Sequence, residues 1–370
     1  MAAWLTRFVK DANLLAHIDN DHFAFVVPEV NSDSNLARLV EKLMLAFQEH
    51  SFELNDATFR IGIKIGIALF PADGDNVDTL YANAEAALKK AKFSGDRYLF
   101  YTQQMSEAVA DKLRLENQLR RAIDNEEFVL YYQPKVDLMS GKVTSAEALI
   151  RWNDPITGLV APGMFIPILE ETGLIFEVGR WALRKAIEDN MRWRAAGLAS
   201  VRIAVNVSPR QLHSLNFINE LKELLELDAD AAVGLQLEIT ESLIMQDLEH
   251  CTASLEAIRA LGITIAIDDF GTGFSSLNYL SRLPVDTLKI DRSFVIEMDS
   301  SKGLALVSTI IVMAHALSLK VVAEGVETDH QMRQLLSLNC DEMQGFLFSR
   351  PVPAEIFSTR FLSPHSGDHI

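Results

Sequence analysis

From Phe128 to Phe348 the chain alternates short apolar, β-branched runs with stretches of helical spacing, and this rhythm restricts the fold more than any other feature. Strand-like runs occur at Phe128–Val136, Ser145–Trp152, Val201–Val207, Leu235–Ile239, Thr264–Ile267, Thr287–Ile290, Lys320–Ala323 and Glu342–Phe348. Helical stretches separate most of them, among them Phe176–Ala196, Phe217–Leu225, Leu248–Leu261 and Gly303–Leu317. The first two runs are joined only by Met139-Ser140-Gly141-Lys142, a turn that makes a hairpin rather than a crossover. Eight strands with intervening helices over roughly 250 residues predict an α/β fold, a (β/α)8 TIM-like barrel with one antiparallel strand.

The first hundred residues have a different rhythm. Leu14–Val27 and Phe59–Phe70 have strand character, Val30–His50 and Asn76–Lys92 read as amphipathic helices, and Asp96–Tyr101 as a short last strand. This is a partial α+β module. Met105–Asp124 is charged, free of Gly and Pro, and reads as a helical connector, which sets the division near residue 104.

In such a barrel the active site lies where the C-terminal ends of the strands converge. Those ends offer Glu147, Asn206, Glu238 with Glu241, the pair Asp268-Asp269, Lys289 with Asp291, Glu324 and Gln344, each leaving an apolar run. The stretch Thr264–Leu277, TIAIDDFGTGFSSL, concentrates the signal. Two adjacent acids ending a buried strand repel each other and lose hydration, so a compensating charge is required. One strand-terminal polar residue is most simply one meeting solvent; an array of them aimed at one rim is not. The candidate ligands are carboxylate and amide oxygens without His or Cys, which suits the hard cations Mg²⁺ or Mn²⁺ rather than zinc or copper.

Composition narrows the substrate. A formal charge of −17 argues against a DNA or RNA polymer or an anionic membrane as partner. It does not exclude a phosphorylated small molecule, because bound metal reverses the local sign. Cys251 and Cys340 match no paired zinc or redox spacing and read as reduced, structural thiols of a cytoplasmic protein. No run approaches the roughly 18 apolar residues of a membrane span, and the N-terminus lacks a signal-peptide pattern. A membrane-bound sensor segment of a longer parent would lie outside this chain. Trp181, Met191 and Trp193 fall at helical spacing and read as core or interface, and His315 as a helix-face packing residue.

Glu147-Ala148-Leu149, followed by Ile150-Arg151-Trp152, resembles the motif of the EAL-domain cyclic-di-GMP phosphodiesterases. The resemblance runs from about residue 114 to 362 and is dense. It takes in Gln133-Pro134-Lys135, Asn206-Val207-Ser208, Glu238-Ile239-Thr240-Glu241, Asp268–Gly273, Lys289-Ile290-Asp291, Glu324-Gly325-Val326-Glu327 and Gln344-Gly345-Phe346. It implies hydrolysis of cyclic-di-GMP to linear pGpG with two ions, Mg²⁺ or Mn²⁺. Glu147, Asn206, Glu238 and Asp268 match the positions holding one ion, and Asp268, Asp269 and Glu324 those holding the other. Lys289 matches the residue that contacts the attacking water, and Glu241 the one that steadies the Asp268–Ser276 loop. Gln133, Leu149, Arg151, Asp291 and Gln344 fall near the bound dinucleotide. A two-ion clamp suits a phosphodiester because it screens both the attacking and leaving oxygens. As a base Lys289 needs a depressed pKa, for which two nearby cations are a cause. The family also implies a homodimer, with Phe274–Leu283 near the contact.

Residues 1–103 resemble the later part of a GGDEF diguanylate cyclase domain, anchored by Arg60–Ala68 and Ala82–Lys92. The signature hairpin reads Asp19-Asn20-Asp21-His22-Phe23, with its two phosphate-approaching glycines replaced and His22 where a metal-binding acid is expected. A product-inhibition motif would fall at Lys10–Asn13, which is also degenerate. Cyclase activity is not expected from this module. The organisation predicted is therefore 1–103 GGDEF-like, 104–124 connector, 114–362 EAL barrel overlapping the connector, and 363–370 tail. The main rival is a catalytically silent cyclic-di-GMP receptor, against which the complete set of acids, Asn206 and Lys289 argues. A histidine-based phosphohydrolase would need His-Asp pairs, whereas Asp329-His330 and Asp368-His369 run in reverse order. A sugar-processing barrel explains neither the amide nor the lysine.

Overall fold

The computed structural model describes residues 5, 15–19, 22–27, 40, 42–47, 50–54, 57–60, 62–246, 248–271 and 280–363. They divide into two compact units, 1–113 and 114–370, and the division falls within a helix, Gln103–Asp124.

In the first unit, β1 (Leu15–Asp19) and β2 (His22–Phe25) pair antiparallel, as do β3 (Ser51–Leu54) and β4 (Ala57–Arg60). β5 (Ile65–Ile67) and β6 (Tyr98–Phe100) pair parallel, joined by the crossover helix Val77–Ser94. That helix starts under an Asn76 side-chain cap on the Thr79 N–H and stops at Gly95, which adopts the left-handed conformation. Gly66 lets it pack on β5, since a Cβ there would stand 2.1 Å from the Ala84 carbonyl oxygen. The strand expected through Phe59–Phe70 is split, with Gly62–Lys64 outside regular structure. His22 Nε2 lies 3.3 Å from Lys92 Nζ; Lys10–Asn13, Asn20 and Asp21 fall outside the described residues.

The second unit is a closed barrel of eight strands. Round the barrel run β7 (Phe128–Asp137), β8 (Val143–Asp154), β10 (Arg202–Asn206), β11 (Leu235–Thr240), β12 (Thr264–Phe270), β13 (Thr287–Ile290), β14 (Lys320–Glu324) and β15 (Glu342–Gln344). β7 closes the ring antiparallel to both β8 and β15; every other pair in the ring is parallel. The short β9 (Gly158–Val160) extends β8, and β16 (Val352–Pro353) lies along β7. The hairpin turn is held by Asp137, whose side chain accepts the Ser140 N–H at 2.7 Å, and by Gly141 at φ +68.

Parallel strands covered on both faces are apolar throughout, and all four residues of β13 are buried. Outside them the helix Ile175–Ala195 turns a stripe of Val178, Ala182, Ala186 and Trp193 inward at helical spacing. β15 stops short of the expected Phe348 because Gly345 touches the neighbouring loop: a Cβ there would lie 2.0 Å from the Val326 carbonyl oxygen. His315 is exposed and bonds Asp341 Oδ2 through Nε2 at 2.9 Å, so it is a polar contact and not a packing residue. No helix among the described residues is long and apolar enough to cross a membrane.

Both cysteines are buried thiols, and neither is in a disulfide among the described residues. Burial, followed by the charge of Asp341, pushes the Cys340 thiol up to about 12, and only thiolates attack disulfides. An aromatic disulfide reagent is expected to label neither thiol in the native chain and both in guanidinium. Fast native labelling would show that the core opens.

Candidate active site

The two acids after Ile267 would point to opposite faces if β12 ran on regularly. Instead the register with β13 slips between Ile267 and Phe270, a bulge that takes in both acids. Asp269 takes the left-handed conformation, φ +54, and its N–H bonds Asp268 Oδ1 at 3.0 Å. Asp268 is buried and Asp269 exposed, yet both offer oxygens to the same rim. Gly271, at φ +100, completes the turn, where a Cβ would meet the Phe294 ring at 2.5 Å. Its N–H donates to Glu241 Oε2 at 2.8 Å, so a buried carboxylate braces the turn from the end of β11. Thr272–Tyr279, which includes most of the expected dimer contact, lies outside the described residues.

Among the described residues two groups of acids could each hold a cation: Glu147 with Glu238 and Asp268, and Asp268 with Asp269 and Glu324. Within each, the ligand oxygens all lie within 4.8 Å of one another, and Asp268 belongs to both. Asn206 stands beside the first group, donating through Nδ2 to Glu147 Oε1 at 2.8 Å. The Lys289 ammonium sits among these acids. Its Nζ is 2.6 Å from Glu324, 2.7 Å from Glu238, 3.0 Å from Asp268 and 3.6 Å from Glu147.

Crowded acids in a dry site resist ionisation. Burial, then the neighbouring Glu238 charge, pushes the Glu147 carboxyl up. Burial raises Asp268 despite Lys289, and raises Asp269 with help from Asp291. Burial carries Glu324 to about 8. Glu238 goes the other way: against burial, Lys135 and Lys289 hold it down to about 2. For Lys289 burial would lower the pKa, but Glu147, Glu238, Glu324 and Asp268 hold it well above its ordinary value. The depression expected of a base therefore requires added cationic charge. The donor set fits hard divalent ions, since it is all oxygen and its acids outnumber the ammonium groups of Lys135 and Lys289.

The residues expected near substrate divide. Gln344 and Gln133 join the acids: Gln344 Nε2 donates to Glu147 Oε2 at 2.6 Å and to Gln133 Oε1 at 3.0 Å, while the buried Gln344 Oε1 has no partner among the described residues. Leu149 and Arg151 lie further along β8, opposite Tyr131 and Val129. The Arg151 guanidinium sits 5.7 Å from the centroid of the Tyr131 ring and donates to its neighbour's carbonyl at 2.8 Å. Asp291 caps the helix Arg292–Glu297, accepting the Ser293 N–H at 3.0 Å. Lys135 had no assigned role in the sequence, yet it is buried and bonds Glu238 Oε1 at 2.6 Å. Its signal was there: period two along β7 puts it on the face of Gln133.

The family model of the EAL domain matches residues 116–351, and that of the GGDEF diguanylate cyclase domain residues 1–97. The chain is 40% identical over 349 residues to MucR of Pseudomonas aeruginosa, described as a bifunctional diguanylate cyclase/cyclic di-GMP phosphodiesterase, covering 94% of this chain and 51% of that one. It is 37% identical over 347 residues to the cyclic di-GMP phosphodiesterase NbdA of the same organism, covering 93% and 44%. The chain thus spans about half the length of these curated relatives. The solved structure of the PaMucR phosphodiesterase in complex with c-di-GMP is similar at a TM-score of 0.64 and 44% identity, covering 65% of this chain and 98% of that one. The cAMP- and cyclic-di-GMP-bound EAL enzyme Bd1971 gives a TM-score of 0.65 at 36% identity, covering 78% and 76%.

Proposed function

The chain belongs to the EAL-domain family, with a GGDEF-type domain ahead of the barrel, and we propose that the barrel hydrolyses cyclic-di-GMP to linear pGpG. The observation that carries this reading is the sharing of Asp268 between two acid groups gathered around Lys289. Mg²⁺ or Mn²⁺ ions held by Glu147, Asn206, Glu238 and Asp268, and by Asp268, Asp269 and Glu324, would screen the phosphodiester and activate water. In this reading Lys289 orients the attacking water and takes up its proton once cationic charge relieves the pull of the acids. Arg151 grips a phosphate oxygen with its planar fork. Gln344, whose buried Oε1 lacks a donor among the described residues, accepts from the dinucleotide, with Gln133 fixing the amide. Glu241 keeps the turn after Asp269 from straying. Leu149 and Asp291 line the approach. Water adds across one phosphodiester P–O bond, leaving a 5′-phosphate and a free 3′-hydroxyl.

The same reading assigns the barrel domain to 114–362, behind a connector at 104–124, and makes it a homodimer in the cytoplasm. The 1–103 module serves as a scaffold without cyclase activity, as Lys92 beside His22 supports.

Chromatography of products after incubation with cyclic-di-GMP tests the proposal. pGpG is expected with Mg²⁺ and none after chelation. Tight binding with no hydrolysis at any metal concentration would favour the silent receptor instead.

A further inference from the structure

The acid cluster has a cationic floor. Lys135 lies 1% exposed on β7, and its Nζ crosses the barrel to Glu238 Oε1, 2.6 Å away on β11. Because β7 runs antiparallel, Lys135 sits deeper than Gln133: Gln133 pairs with Glu147, and Lys135 with Ser145, nearer the start of β8. Glu238 meets a second ammonium at its other oxygen, Lys289 Nζ at 2.7 Å from Oε2.

The two lysines differ in what they share. Lys289 contacts Glu147, Asp268 and Glu324 as well, so a cation bound by those acids competes with it for the same oxygens. Among the described residues Lys135 is ion-paired with Glu238 alone, through an oxygen that Lys289 does not use. Without that tether Glu238 would be held only through Oε2, where Lys289 and a bound cation compete, and could swing among rotamers.

We propose that Lys135 is a positioning residue for metal loading: it holds Glu238 by Oε1 from beneath and leaves Oε2 directed at the site. The inference rests on the reading of the rim as a divalent-metal site. Partners that orient a metal ligand without touching the metal are worth about ten- to hundredfold in affinity.

The test is Mn²⁺ binding to the full chain, read as loss of the free Mn²⁺ signal in electron paramagnetic resonance. The parent chain, Lys135→Met and Lys135→Gln are compared, with folding checked by circular dichroism. Lys135→Met is expected to weaken binding about ten- to hundredfold, and Lys135→Gln, which keeps a donor without the charge, to recover part of that loss. Unchanged binding in both variants would overturn the inference; so would tighter binding, because it would mean that Lys135 acts only as a repelling charge. If Lys135→Met fails to fold, Lys135→Gln decides: severalfold weaker binding supports the tether and parent-like binding removes it. A parent chain that takes up no Mn²⁺ sinks the metal reading itself, whereas a loaded parent with equally loaded variants sinks only the role of Lys135.

Discussion

Asp268→Asn is expected to lower turnover about a thousandfold while the melting temperature holds or rises. The substitution keeps side-chain volume and one oxygen but removes the charge that two acid groups share. Metal assistance to phosphoryl chemistry is worth several kcal/mol, and about 4 kcal/mol corresponds to a factor near a thousand in rate. The stability half follows from the pKa. Burial first, with the charge of Glu238 contributing, raises the Asp268 carboxyl despite Lys289. A carboxyl whose folded pKa is raised destabilises the fold at pH above its unfolded value, because there the unfolded chain ionises readily and the folded one only at a cost. A neutral amide removes that penalty, the usual trade between site and stability. Turnover at saturating Mn²⁺ and a thermal melt check both halves. Activity within about tenfold of the parent would mean that Asp268 is not the shared ligand.

Trp193→Ala should cost about 3–5 kcal/mol of stability. Trp193 is 3% exposed and wedged between Tyr132 of β7, 5.1 Å away edge-on, and Phe357, 5.2 Å away and stacked. It therefore ties together the antiparallel strand, the helix Ile175–Ala195 and the helix Ala354–Phe357. Its Nε1 has no partner among the described residues, so truncation forfeits packing and area but no hydrogen bond seen there. For a unit of this size the loss corresponds to a fall in Tm of roughly 10 °C. Urea unfolding would register it as a lower midpoint at unchanged slope. Tyr132 and Gln133 lie on opposite faces of β7, so turnover per folded molecule should stay near parental. A stability loss below about 1 kcal/mol would show that the site collapses around the gap.

The barrel was legible because parallel strands sheathed on both faces must be apolar, and a carboxylate after such a run stands out. Asp268, Glu238 and Glu324 were visible for that reason, and β7 betrayed its direction through a turn too short for a crossover. The bulge at Asp268-Asp269 was not legible, because its geometry depends on the register with β13, a property of two strands. Lys135 was readable only by following period two from Gln133, and its partner Glu238 lies on another strand, so the pairing itself was not legible. The end of β15 was overrun because the close contact of Gly345 with Val326 is made across the chain. Trp193 was readable as core or interface, and burial decides for core.

The antiparallel course of β7 also changes where the barrel begins. In an all-parallel barrel the chain would come in at the mouth opposite the chemistry. Here Phe128 opens β7 opposite Trp152, beyond Glu147 on β8, and Glu127 is stitched to that strand by the Asn153 N–H at 2.8 Å and the Trp152 Nε1 at 2.9 Å. The chain thus enters its first barrel strand at the rim that carries the acids, whereas the 138–142 turn lies at the foot of the barrel.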